Sequence, residues 1–258
     1  MKGILIDLDG AIFQGDQLIE GAEAFINKLQ EQQFPHLFLT NASSQPRQAI
    51  VDKLAGLGIK VQPQEILTPA VAAAQWLCEH SVERLAVLMP RETVQDLVGF
   101  EVVSMTGPTA PEAIVVGDLG QNWNYNKLNQ AFRRLMEEPH PKLVTLGMTR
   151  YLHSDDGLSL DVAPFAKALE FASGCEAEVI GKPSPTFFEE GLHILGCEAK
   201  DCAMIGDDIF ADIKGAQDAN LRGVLVKTGK FRERDLNSGI KPDMTVNSIA
   251  ELDDILKW

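Results

Sequence analysis

Short apolar runs alternate with stretches in which apolar residues recur every three or four positions, from the first residues of the chain into its last third. The opening run, Gly3-Ile4-Leu5-Ile6, has no polar interruption, which predicts a strand covered on both faces. A helix is predicted over 22–29, because Ala22, Phe25, Ile26 and Leu29 fall on one stripe. The pattern then gives a strand over 36–39 and a helix over 45–57, which Gly56-Leu57-Gly58 terminates. Thr68-Pro69 sets a capping hydroxyl before a proline at the first helical position, opening a helix that runs to about 78.

From Arg84 the alternation restarts: strand 85–89, helix 92–98, strand 113–116, helix 126–137, strand 143–146, helix 162–172 and strand 177–180. Pro139-His140-Pro141 breaks the chain before the strand at 143. The last third adds a helix opened by Ser184-Pro185, a strand over 202–205, a helix over 209–219 and a strand over 223–226. It closes on a helix whose Ser248 and Glu251 match a capping box. Strands and helices taking turns over this length predict an α/β fold with parallel sheets.

Polar residues gather at four of the predicted strand ends. Asp7-Leu8-Asp9-Gly10 follows the first strand, and Thr40-Asn41-Ala42-Ser43 the second. Gly181-Lys182-Pro183 follows a later one, and Gly206-Asp207-Asp208, with Asp212 beyond it, follows the strand at 202–205. Strands of an open parallel sheet direct their carboxyl ends into one crevice, so these segments are expected to converge. Several acids, a lysine, a hydroxyl and exposed helix-start amides suit a hard divalent cation beside a phosphate. Each cluster alone also has a plain reading. Asp-X-Asp-Gly is ordinary turn chemistry, Thr40 is a competent helix cap, Lys182 is a common surface residue, and Asp207-Asp208 suits a helix N-terminus.

The 258 residues suffice for one large or two ordinary domains, and 45% hydrophobic residues fit a globular chain. A formal charge of −14 repels nucleic acid and anionic membranes, so neither is expected as a partner. No apolar run is long enough to span a bilayer, and no secretory leader pattern precedes the first strand, so a cytoplasmic protein is expected. Cys78, Cys175, Cys197 and Cys202 form no CxxC pair and have no histidines at zinc spacing, and read as reduced thiols. Neither GxxxxGK[ST] nor GxGxxG occurs, which removes P-loop and dinucleotide sites.

Taken in order, the four clusters resemble the four motifs of the haloacid dehalogenase superfamily of phosphotransferases, across nearly the whole chain. Only one helix fits between Gly10 and Leu39, whereas the interval from Asn41 to Lys182 has room for a second α/β unit. The resemblance is therefore to the branch with a cap inserted between the second and third motifs. It implies a Rossmann-like parallel-sheet core (1–83 and 177–258) carrying a smaller α/β cap (84–176).

Residue by residue, the resemblance implies Asp7 as the nucleophile that forms an aspartyl-phosphate and Asp9 as general acid and base. It implies Mg2+ held by the Asp7 carboxylate, the Asp9 carbonyl and Asp207, with Asp208 and Asp212 as supports. Thr40 and the amides of Asn41 and Ala42 would bind phosphate oxygens, and Lys182 would neutralise developing charge. Retention of Asp9 favours ester hydrolysis over dehalogenation. Ala11 stands where the family usually has threonine, which removes a hydroxyl from the nucleophile loop. The expected substrate is a small phosphomonoester, with phosphoamidates and pyrophosphate open as well. In the cap, the segment 149–156 with His153 is the specificity candidate, against a plain surface role for that histidine. Dimerisation through the cap is a further expectation. The rival class is a phosphate-binding scaffold that keeps the fold without the reaction.

Overall fold

The computed structural model describes residues 1–154 and 157–252. They group into two compact units, one of Met1–Thr40, Gln48–Leu67 and the described residues from Lys182 on, the other of the described residues of Asn41–Arg47 and Thr68–Gly181. The expected division at 83/84 and 176/177 is set differently here, since the helix Pro69–Glu79 and the strand Ala177–Val179 group with the second unit.

The first unit is built on a six-stranded parallel sheet in the order Met244–Val246, Arg222–Val226, Cys202–Gly206, Gly3–Asp7, His36–Leu39, Ile66–Leu67. The opening strand lies mid-sheet. The chain grows from it toward Ile66–Leu67 and later returns to its other side, so the strand order reverses between Gly3–Asp7 and Cys202–Gly206. Every residue of those two strands is buried, as their unbroken apolar runs require. Ile4, Ile6, Phe38, Ala203, Ile205, Val224 and Val226 share one core with Ala22, Phe25, Ile26 and Leu29 of the helix Ala22–Glu31. On the opposite face Leu5 approaches Gly191 of the helix Pro185–Leu195, where a larger residue would crowd the sheet.

The second unit has its own five-stranded parallel sheet, ordered Ala177–Val179, Lys142–Thr145, Ala113–Val116, Arg84–Leu88, Glu101–Val102. Ala86, Leu88, Ile114 and Val116 pack on Ala131 and Leu135 of the helix Tyr125–Leu135 and on Leu169 of the helix Val162–Ser173. Thr68 caps Pro69–Glu79 as its sequence predicts, accepting from the Val71 amide at 3.3 Å. An antiparallel hairpin joins Tyr151–Ser154 to Gly157–Leu160. Among the described residues, no helix is long and apolar enough to cross a membrane.

Some local expectations change. The helix expected over 92–98 is one 3-10 turn, Thr93–Asp96, with β-branched Thr93 and Val94 inside it and Gly99 at φ 94° beyond. The helix expected over 209–219 starts as a π-helical stretch, Ile209–Lys214, and is α-helical only over Gly215–Asp218. Near the C-terminus the Glu251 carboxylate reaches back to the amide of Asn247, at 3.0 Å, and not to that of Ser248. Short strands such as Ile66–Leu67 and Met244–Val246 carry too little sequence to show a period.

Candidate active site

Register delivers the predicted groups to one edge of the first unit's sheet. Asp7 is paired with Leu39, and Ile6 with Ile205. Thr40 follows Leu39 and Asp207 follows Gly206, so three adjacent strands end in Asp7, Thr40 and Asp207. All three are buried, together with Lys182 and Asp212.

Lys182 Nζ donates to Asp7 Oδ1 at 2.5 Å and to Asp212 Oδ1 at 2.6 Å. The other oxygen of Asp212 accepts from the Asp208 amide at 3.0 Å. Asp208 itself turns away as a helix cap, accepting from the amides of Phe210 and Ala211 at 2.9 and 3.0 Å. The wide π-turn carries Asp212 inward; irregular turns of this kind recur at functional sites. Asp7, Asp207 and Asp212 each present a carboxylate oxygen, and these lie within 4.8 Å of one another. That is the scale of the roughly 4.2 Å that separates trans oxygens about a magnesium ion.

One ammonium cannot neutralise three acids in a space closed to water. Burial first, then the charges of Asp7 and Asp212, push Asp207 up to about 8. Burial and Asp7 push Asp212 up to about 6, against the opposing pull of Lys182. Burial alone would lower Lys182, but Asp212 and Asp7 outweigh it and hold the amine firmly protonated. Asp207 Oδ2 accepts from the Lys230 amide at 2.5 Å, whereas its buried Oδ1 has no hydrogen-bond partner among the described residues. A buried lone pair left in this way is costly. The donor set therefore fits a hard divalent cation: clustered carboxylate oxygens, excess negative charge, and one oxygen without a donor.

Two glycines make room for that arrangement. A Cβ on Gly10, at φ 101°, or on Gly229, at φ 54°, would collide with the Asp207 carboxylate. Asp9, two residues beyond Asp7, is exposed, and its backbone bridges to Phe13. The helix after Thr40 begins only at Arg47, so Thr40 does not cap it. Asn41 and Ala42 follow Thr40 directly but group with the second unit. His153 pairs through its backbone with Leu158 in the hairpin, while Asp155 and Asp156 of the same segment lie outside the described residues.

Sequence reasoning missed the segment Thr228-Gly229-Lys230. It follows the strand Arg222–Val226 after Lys227 and was a fifth polar cluster at a strand end. The Lys230 amide holds Asp207, and the Thr228 hydroxyl donates to the Gly10 carbonyl at 2.5 Å. The signal was present, since Thr, Gly and Lys stand just where the buried run Gly223-Val224-Leu225-Val226 gives way.

The chain is similar to several known proteins. The profile of a family described as haloacid dehalogenase-like hydrolase matches residues 4–102, and a HAD-hydrolase-like profile matches 179–252. The phospholysine phosphohistidine inorganic pyrophosphate phosphatase of Homo sapiens is 38% identical over 261 residues, covering 99% of this chain and 94% of its own. The haloacid dehalogenase-like hydrolase domain-containing protein 2 of Bos taurus is 36% identical, covering 91% of this chain and 87% of its own. Among solved structures, the p-nitrophenyl phosphatase from Archaeoglobus fulgidus superposes with a TM-score of 0.89 at 27% identity, covering 97% of each chain.

Proposed function

This chain belongs to the haloacid dehalogenase-like hydrolase family and is a phosphatase of it, and from that premise we propose that it hydrolyses small phosphomonoesters in the cytoplasm, using Mg2+ and an aspartyl-phosphate on Asp7. The observation that carries the proposal is the buried cluster in which Lys182 grips Asp7 beside Asp207 and Asp212.

Asp7 and Asp207, with the Asp9 carbonyl, would hold the cation, whose contribution is to offset repulsion between carboxylates and phosphoryl oxygens. The remaining work falls to the chain itself. Lys182 fixes the Asp7 carboxylate and places a positive charge where the transferring phosphoryl group gathers negative charge. Asp7, ending a strand locked on both sides, attacks phosphorus with little orientational freedom left to lose. Asp9 hands a proton to the departing oxygen and then takes one from the water that cleaves the acyl phosphate. Thr40 and the amides of Asn41 and Ala42 bind the phosphoryl oxygens. Asp212 holds Lys182 and is itself held by the Asp208 amide, so the ammonium keeps one position.

The second unit is assigned the role of cap, with the segment 149–156 and His153 selecting the leaving group. A homodimer through that unit belongs to the same proposal. Tyr151, Leu158 and Leu160 are exposed on one face of its hairpin, and sedimentation of the purified chain checks the assembly. Phosphoamidates and pyrophosphate enter as alternative substrates, since relatives carry them in their names.

The test is turnover of p-nitrophenyl phosphate by the full chain with Mg2+, with EDTA, and in Asp7→Asn. Metal-dependent turnover that disappears in Asp7→Asn supports the reading, as does label from a phosphate-labelled substrate on the peptide containing Asp7. Turnover that survives Asp7→Asn removes it, and no turnover on any phosphate ester leaves the scaffold reading.

A further inference from the structure

Ala11 leaves the loop after the nucleophile without a hydroxyl of its own. The loop is nonetheless held at several points. The Gly10 amide donates to the Phe13 carbonyl at 2.7 Å, and the amides of Ile12 and Phe13 both donate to the Leu8 carbonyl, at 2.9 and 3.1 Å. These bonds close the turn on itself, while the Leu8 amide ties its start to the Leu39 carbonyl at 3.2 Å and the Ile19 amide holds the Ile12 carbonyl at 2.9 Å. The Gly10 carbonyl, next to Asp9, points the other way and accepts the Thr228 hydroxyl at 2.5 Å. That bond joins positions 218 residues apart, and it comes from the segment whose next two residues govern Asp207. Gly229 sits so close that a Cβ there would strike both Asp207 and the Gly10 Cα.

We propose that Thr228 is a positioning residue for the general acid/base: its hydroxyl clamps the Gly10 carbonyl and so fixes the Gly10-Ala11 peptide, which is joined at the Gly10 Cα to the peptide leaving Asp9, making up for the hydroxyl absent at Ala11. Thr228 touches neither substrate nor the reacting atoms; it acts through the backbone that carries Asp9. Because Asp9 is exposed, its side chain has little packing to hold it, and its direction depends on where the turn is pinned. The Asp9 carbonyl, a backbone ligand in the proposed cation site, belongs to the preceding peptide, which meets the clamped one at the Gly10 Cα.

This inference rests on the assignment of Asp9 as proton donor, and the experiment separates the two. Thr228→Val keeps the shape and removes the donor; Thr228→Ser restores a donor. The full chain with Mg2+ is assayed against aryl phosphates of graded leaving-group pKa, reading kcat/KM, which reports steps up to departure of the leaving group. A mispositioned acid hurts poor leaving groups most. Thr228→Val is therefore expected to lose about five- to tenfold on phenyl phosphate, and much less on p-nitrophenyl phosphate. Thr228→Ser should return the native slope.

A second readout needs no turnover: hydrogen exchange of the amides over 8–13 should quicken in Thr228→Val and recover in Thr228→Ser. Native leaving-group dependence together with native exchange in Thr228→Val overturns the inference. Faster exchange over 8–13 with parallel loss on every leaving group overturns it too, since the loop is then structural only. If the native chain fails to turn over aryl phosphates while exchange responds as stated, the phosphatase reading fails and the clamp stands.

Discussion

Replacing Lys182 with methionine probes the cluster most directly, because it removes the one cation from among three buried acids and roughly keeps the side chain's length. Two hydrogen bonds disappear, to Asp7 Oδ1 at 2.5 Å and Asp212 Oδ1 at 2.6 Å, both on buried residues. Removing one partner of a buried ion pair costs about 3–5 kcal/mol. In a unit of this size that lowers the melting temperature by about 6–20 °C. Partial protonation of Asp207 cushions the loss, so the measurement belongs at pH 8 with EDTA present, where the acids are most charged. Thermal unfolding followed by circular dichroism gives the shift. The double variant Lys182→Met/Asp212→Asn should recover part of it, because the second change removes a charge that the first left unpaired. In the assay, kcat/KM should fall by about 10²–10³, the usual cost of losing a donor aimed at developing charge. A melting temperature within about 2 °C of native, below the scale of even one kcal/mol, would refute the electrostatic reasoning. So would effects of the two substitutions that simply add.

Asp9→Asn should lower kcat/KM by about 10²–10⁴ while leaving Mg2+ affinity by calorimetry unchanged; weakened Mg2+ binding with chemistry preserved would reverse the assignment. Gly229→Ala forces a methyl into the Asp207 carboxylate at a positive φ, so Mg2+ affinity should drop by about tenfold or more, the scale set by losing groups that orient a ligand; native affinity would show that the loop yields freely. The metal-free protein should lose stability as pH rises. Asp207 near 8 and Asp212 near 6 bind protons in the folded state that unfolded carboxylates, titrating at about 4, do not. Melting in EDTA should therefore fall between about pH 5 and 8, and the stabilisation by Mg2+ should grow over the same range. A Mg2+ effect independent of pH would mean that those protons are not displaced.

Much was legible from single positions. The run Gly3-Ile4-Leu5-Ile6 has to be a covered strand, and Ala22, Phe25, Ile26 and Leu29 have to face one core, because period and burial are properties of neighbouring residues. The ordered clusters at Asp7, Thr40, Lys182 and Asp207 pointed to the proposed chemistry through their order and number, since each alone has an ordinary reading. Less was legible where an element takes its form from distant partners. The stretch 209–214 has ordinary helical spacing, and only the pull of Lys182 and the Asp208 amide on Asp212 accompanies its π-turn. Thr228 and Lys230 were readable as polar residues after a strand but not as anchors, because their partners, Gly10 and Asp207, lie far off in sequence.

By itself, then, the sequence determined the alternation of strands and helices, the buried and exposed face of each, and which polar groups stand at the strand ends. These follow from short-range periodicity and from side-chain chemistry. Tertiary structure alone decided that Asp212 shares Lys182 with Asp7, that Asp208 turns aside to cap a helix, and that Gly10 and Gly229 leave space beside Asp207. Those outcomes depend on the parallel register of strands more than a hundred residues apart, which sets distances of a few ångströms that no local pattern encodes.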